Sequence, residues 1–340
     1  MANPASSAMA RETCESADVA ARILHERQAI ADIAGQLDIN TAPLAVLCGR
    51  GSSGHAGVFL RYLIETRLHL PVSASAPSVI TAFRKPLCLD HALFIVISQS
   101  GRSPDLVAAT RSARASGART VAIVNAVPSP VADAAEFVIP IGAGVEHSVA
   151  ATKTVVGSMA AGAELIAALA NDATLRSALD RLPERLARAA ALDWSAVSGD
   201  LANASAVFVA SRGLGLGPAR EIALKLAEIL RLPALGFSAA ELQHGPRAAL
   251  SAKTPVLLMR LNDETAATVD QLADDLRASG VALHLAGGPQ SSLPWIGDDD
   301  AATDAIAMLV PAYRMIEHTA RMWGFDPDRP PQLSKVTETF

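Results

Sequence analysis

Aromatic side chains are scarce in this sequence, at 4% of 340 residues. So few rings leave little material for stacking nucleobases or lining the pocket of an aromatic cofactor. Cysteine is rarer still. Cys14, Cys48 and Cys88 are odd in number and widely spaced, with no CxxC pair and no histidine at a ligand spacing. That pattern excludes a zinc site and fits the reduced thiols of a cytoplasmic protein. Long runs of one charge are also missing. The net charge is -5, and the only acidic cluster, Asp298 with Asp299 and Asp300, reads as a solvated loop, so no nucleic-acid surface is expected. The N-terminus has no basic start followed by an apolar core, which argues against a secretory signal. The longest helix-like apolar stretch, residues 148–170, is interrupted by Lys153 and Glu164 and reads as a buried helix, with no membrane span expected.

What the chain does have is alternation. Hydrophobic residues make up 50% of it, enough for a large core, and the length suggests two domains. Residues 9–37 have helical periodicity. Residues 44–48 read as a strand, followed by the loop GRGSSGH at 49–55 and a helix from about Ala56 to His69. The glycines suggest a dinucleotide fingerprint, but the spacing is not GxGxxG and no acidic residue ends the next strand. Residues 93–97, LFIVI, form an unbroken apolar run of the kind buried on both faces of a parallel sheet. Further strands are expected at 72–74, 120–124 and 137–140. Strand and helix in turn argue an α/β fold built on a doubly wound parallel sheet.

After residues 93–97 comes SQSGRS, with Pro104 suited to the first turn of a helix. A helix N-terminus leaves backbone N–H groups unpaired and carries partial positive charge, so hydroxyls gathered there make a seat for a phosphate group. One helix cap would need a single serine; Ser98, Gln99, Ser100 and Ser103 exceed that. The second half repeats the first. An offset of 162 residues lays Arg50-Gly51 on Arg212-Gly213 and Leu70-Pro71 on Leu232-Pro233, and one of 163 lays Arg114 to Gly117 on Arg277 to Gly280. Under that register residues 98–103 fall on 261–266, which have carboxylates in place of serines, so one phosphate seat per chain is expected. The second half has other chemistry. Glu221, Lys225 and Glu228 fall on one face of an expected helix near residues 218–231. A salt-bridged surface stripe would explain that trio by itself. With His244 in the following AAELQHGP, however, Glu228 supplies what proton transfer beside a carbonyl needs: a carboxylate that accepts and donates, and an imidazole able to open a sugar ring.

Together SQSGRSPD, SVAATKT, EIALKLAEI, AAELQHGP and the closing LSKVTETF resemble the sugar isomerase (SIS) family. The likeness is greatest to the isomerase half of glucosamine-6-phosphate synthase and to stand-alone glucosamine-6-phosphate deaminases. It implies two tandem flavodoxin-like αβα sandwich domains: an N-terminal helical segment at 1–40, a first SIS domain at 41–170, a helical connection at 171–195, a second SIS domain at 196–330 and a site-closing tail at 331–340. By resemblance Ser98, Gln99, Ser100, Ser103 and Ser53 hold the sugar phosphate, while Ser52, Val149 and Ala150 line the sugar. Glu228 shuttles the proton between C1 and C2, Lys225 supports the enediol charge, His244 assists ring opening, and Lys335 contacts the open-chain sugar. The synthase's N-terminal glutaminase domain has no counterpart in these residues. The expected reaction is therefore conversion of glucosamine 6-phosphate and water to fructose 6-phosphate and ammonia. A fructosamine-phosphate deglycase or a tagatose-type ketose isomerase would use the same groups. A sugar-phosphate sensor would need the serines but not the carboxylate, histidine and terminal lysine. No metal or redox cofactor is implied, because proton shuttling needs neither. A cytoplasmic homodimer is expected, from the apolar helix at 148–170 and from the reach of His244 toward a partner's site.

Overall fold

The structure, a computed structural model, describes residues 6–335. Two parallel sheets organise it. The first contains β1 (Ala45–Cys48), β2 (Val72–Ala74), β3 (Leu93–Ser98), β4 (Arg119–Val124) and β5 (Phe137–Pro140), in the order β2-β1-β3-β4-β5. The second contains β6 (Val207–Ser211), β7 (Ala234–Ser238), β8 (Val256–Met259) and β9 (Leu283–Ala286), in the order β7-β6-β8-β9. Every strand pair is parallel. The first order is that of a flavodoxin-like sheet, and the second is the same order without its last strand.

The repeat extends to backbone detail. Arg50 and Arg212 are both extended residues after a first strand, and Gly51 and Gly213 follow them at φ 49° and 59°. His69 and Arg231 both take left-handed φ before Leu-Pro, and the Pro71 and Pro233 carbonyls accept the N–H groups of Ala45 and Val207 at 2.8 and 2.9 Å. Gly117 and Gly280, at φ 86° and 72°, close the equivalent helices Pro104–Ala115 and Ala266–Ala278. Left-handed backbone favours glycine at such stops.

The chain divides into two compact units, each assembled from separated segments. One holds Asp18–Glu146, Lys153–Asp180 and the described residues from Ser334; the other holds the described residues up to Ala17, His147–Thr152 and Arg181–Leu333. The first packs Val46, Phe94, Val96, Leu106 and Val131 around its sheet. The second packs Phe208, Leu242, Val256, Leu258, Leu272 and Leu285, with Phe208 stacked on Phe237 at 5.6 Å.

Three details differ from the sequence reading. Residues 9–37 form three helices, Ala8–Cys14, Ser16–His25 and Arg27–Gln36. The helix after β1 begins at Gly51 rather than near Ala56, because Gly49 sits so close to Ser53 that a Cβ would lie 2.9 Å from its backbone. The apolar helix begins at Lys153 rather than 148, and residues 153–167 of it are buried. Gly162 abuts Leu60, Gly157 abuts Ile141 and Val19, and buried Glu164 is held bidentately by Arg27 at 2.6 and 3.1 Å. That helix therefore gives no exposed face for a second copy. No helix among the described residues is long and apolar enough to cross a membrane.

Cys48 is buried at the end of β1, and burial pushes its thiol up to about 12, whereas Cys14 and Cys88 are exposed. Two thiols per chain should therefore react with Ellman's reagent at pH 8 in the folded protein, and three in denaturant. Three fast-reacting thiols without denaturant would contradict this placement of Cys48.

Candidate active site

In the first unit, the carboxyl ends of neighbouring strands β1 and β3 each run into a helix N-terminus, where ligands of open parallel sheets bind. The loop after β3 is tightly held. The Ser98 hydroxyl accepts the Gly101 N–H at 3.0 Å and the Ser100 hydroxyl accepts that of Arg102 at 3.3 Å. Gly101 has φ 65°, and a Cβ there would lie 2.2 Å from Ser129 Oγ, so only glycine fits. Its carbonyl accepts the Val131 N–H at 2.9 Å, and that of Gln99 accepts the Ala126 N–H at 3.2 Å. Ser103 is the N-cap of helix Pro104–Ala115, but its hydroxyl makes no capping bond. Gln99, Ser100 and Ser103 are half-buried, Ser98 fully so.

Beside them, Arg50 forms a salt bridge with the fully buried Asp105, so a residue ahead of one helix is tied to the first turn of the other. Ser52 and Ser53 occupy the first turn of helix Gly51–Arg67, half-buried. The equivalent loop of the second unit is occupied by its own side chains: Asp263 accepts the Thr265 N–H and hydroxyl at 2.9 and 2.6 Å.

The second unit holds the charged trio on helix Leu216–Leu230. It is not a surface stripe. Glu221 is 0% exposed, Lys225 1% and Glu228 23%; the Lys225 ammonium lies 3.2 Å from Glu221 and 2.6 Å from Glu228. The Tyr313 hydroxyl donates to Glu221 at 3.3 Å. Burial alone would favour the neutral amine, but the two carboxylates outweigh it and hold the Lys225 pKa above its ordinary value. The result is a permanent positive charge beside one carboxylate that reaches solvent. His244 follows helix Ala239–Gln243 and is exposed.

Val149 and Ala150 lie in the irregular segment His147–Thr152, with Ala150 buried. The Val149 N–H is committed to the Asp328 carbonyl at 3.1 Å, so a backbone contact to a ligand at Val149 falls to its carbonyl. Lys335, in the first unit, lies 3.1 Å from the buried carboxylate of Glu146, which also accepts the Thr154 N–H and hydroxyl at 3.2 and 2.8 Å. Residues 336–340 of the expected tail lie outside the described residues. No group of three or more His, Cys, Asp or Glu side chains among the described residues is placed to hold a metal ion. Sequence reasoning found Glu221 by its spacing but not Tyr313 or Glu146, whose partners lie far along the chain or outside any periodic pattern.

The SIS domain profile matches residues 38–168 and 200–292. The isomerizing glutamine–fructose-6-phosphate aminotransferase of Symbiobacterium thermophilum is 31% identical over 84% of this chain and 50% of its own length. That of Halobacterium salinarum is 33% identical over 87% of this chain and 52% of its own. The chain thus spans about half the length of the curated relatives it matches. Among solved structures, a Silicibacter pomeroyi protein provisionally assigned as a phosphosugar isomerase has a TM-score of 0.91 at 38% identity, covering 95% of this chain and 100% of that one. The C-terminal domain of the Francisella tularensis glucosamine-fructose-6-phosphate aminotransferase shares the fold, with a TM-score of 0.86 at 23% identity over 96% of this chain and 99% of that one.

Lys225→Met should lower the unfolding free energy by about 3–5 kcal/mol, because Glu221 would stay buried without a counter-charge. Tyr313→Phe, which removes one hydrogen bond, should lower it by about 0.5–1.5 kcal/mol. Urea unfolding of both variants checks the order; a larger loss in Tyr313→Phe would contradict the ion-pair account.

Proposed function

This chain belongs to the SIS domain family, and we propose that it is an enzyme of amino-sugar phosphates, converting glucosamine 6-phosphate and water to fructose 6-phosphate and ammonia. The observation that carries the reading is Lys225, buried and charged between Glu221 and Glu228, with only Glu228 open to solvent.

The phosphate is taken by the loop after β3. Gln99, Ser100 and Ser103 donate to its oxygens, Ser98 sets the turn and offers its hydroxyl hydrogen, and Ser53 contributes from the neighbouring helix start. Two helix N-termini add partial positive charge. Ser52 and the backbone at Val149 and Ala150 line the carbon chain. His244 assists opening of the ring to the aldehyde.

Glu228 then removes the C2 proton as the C1 carbonyl becomes an enol, and returns it to C1. The ammonium of Lys225 offsets the negative charge that develops on the sugar, at no cost in reorganisation because Glu221 already holds it in place. The C2 amine gives up one proton, which the C1 oxygen gains, and becomes an imine, which water hydrolyses to the ketone with loss of ammonia. With ammonia supplied, the same steps run backwards. Lys335 contacts the open-chain sugar, exchanging its Glu146 contact for the substrate.

Purified protein should release equal amounts of ammonia and fructose 6-phosphate from glucosamine 6-phosphate. A panel including tagatose 6-phosphate and a fructosamine 6-phosphate decides between the deaminase and its chemical neighbours, and absence of turnover on every member rejects the reading. Glu228→Gln should lower kcat by about 100-fold or more with little change in KM. Ser100→Ala should instead raise KM about tenfold, as expected for loss of a hydrogen bond to a charged group. Equal losses of both parameters in both variants would refute the division of labour.

A further inference from the structure

Residues 147–149 present three consecutive backbone N–H groups, and all three are bound within the second unit. The carboxylate of Glu12 accepts those of His147 and Ser148, the latter at 3.1 Å, and the Asp328 carbonyl accepts that of Val149 at 3.1 Å. Glu12 is 3% exposed, on a helix of seven residues, Ala8–Cys14. A helix so short does not hold itself together in water. Its start is pinned instead: the Asp328 carboxylate accepts the Ala8 and Met9 N–H groups at 2.7 and 2.8 Å, and the Ser7 hydroxyl accepts that of Ala10 at 3.0 Å and donates to Glu317 at 2.6 Å. Asp328 thus works at two places. Its side chain anchors the helix that delivers Glu12, and its carbonyl holds the amide that follows the two Glu12 takes.

Peptide planes make this more than local stability. Each N–H shares a rigid plane with the carbonyl of the preceding residue, so binding three successive N–H groups fixes the peptide planes that lead into Val149 and so the place from which its own carbonyl starts. Bonds to a carboxylate are also the stronger kind. We propose that Glu12, anchored through Asp328, is a positioning residue that fixes the backbone at 147–149, and with it the approach to Ala150, in the form that receives the sugar. The proposal rests on the function proposed above, in which Val149 and Ala150 line the substrate.

The test compares wild type, Glu12→Gln and Asp328→Asn by steady-state kinetics on glucosamine 6-phosphate and by hydrogen exchange of the 147–149 amides. Glu12→Gln keeps the size and one acceptor but loses the charge. Exchange at 147–149 should rise about tenfold, and KM should rise about tenfold with kcat within threefold of wild type. Asp328→Asn should shift KM and exchange in the same direction by less, and it carries the test if Glu12→Gln does not fold. Unchanged exchange at these amides in the folded variants, or faster exchange with an unchanged KM, overturns the proposal. A wild type inactive on every sugar phosphate removes the functional reading and with it the substrate role of Glu12, while exchange still decides whether the clamp exists.

Discussion

A buried ammonium group has to be answered by charge, and in the second unit Glu221 and Glu228 answer that of Lys225. Glu221, one turn earlier on the same helix, is sealed from water and braced by Tyr313; Glu228, one turn later, keeps its edge in solvent. Asymmetry is what makes the trio useful. Two sealed carboxylates would be a structural knot, and two exposed ones a surface stripe of small energetic weight. One of each holds a fixed positive charge beside a carboxylate that a proton can reach.

The first unit gathers at its strand ends hydroxyls and an amide, groups that carry little formal charge. Gly101 lets the loop after β3 turn back against Ser129, and the Ser103 hydroxyl does not cap its own helix. The second unit has the equivalent strand, the same left-handed glycine after Arg212 and the same sheet order short of its last strand, yet Asp263 folds back on Thr265 where the serines would be. Duplication preserved the scaffold, and the side chains at the strand ends diverged. Backbone turns are constrained by sterics at every copy, whereas residues that meet only solvent or ligand are free to change.

The scaffold was legible from residue order because its signals are local. β5 and β2 fall at the residues expected for them, and the repeat from Arg50 and Arg212 to Gly117 and Gly280 marks real turns of the backbone. Helix starts were less legible. Gly49 to Gly54 read as a loop, but the helix starts at Gly51, with Gly49 packed on the Ser53 backbone of its first turn. The stretch ahead of Lys153 is irregular instead, and Glu12 and Asp328 hold its amides at 147–149. The apolar helix, read as buried from its sequence, is interior, its one acidic residue matched by Arg27.

Composition, apolar periodicity and the duplicated turns were enough to specify an α/β chain of two related halves, with hydroxyls at one strand end and a charged face on a later helix. Each of those signals is carried by residues a few positions apart. Tertiary structure alone decided that the charged face is interior, that Tyr313 braces Glu221, that Glu146 holds Lys335, and that a carboxylate near the N-terminus binds amides far along the chain. Hydrogen bonds and ion pairs depend on atomic distance rather than on separation in sequence, and burial, which sets their strength, exists only once the chain has packed.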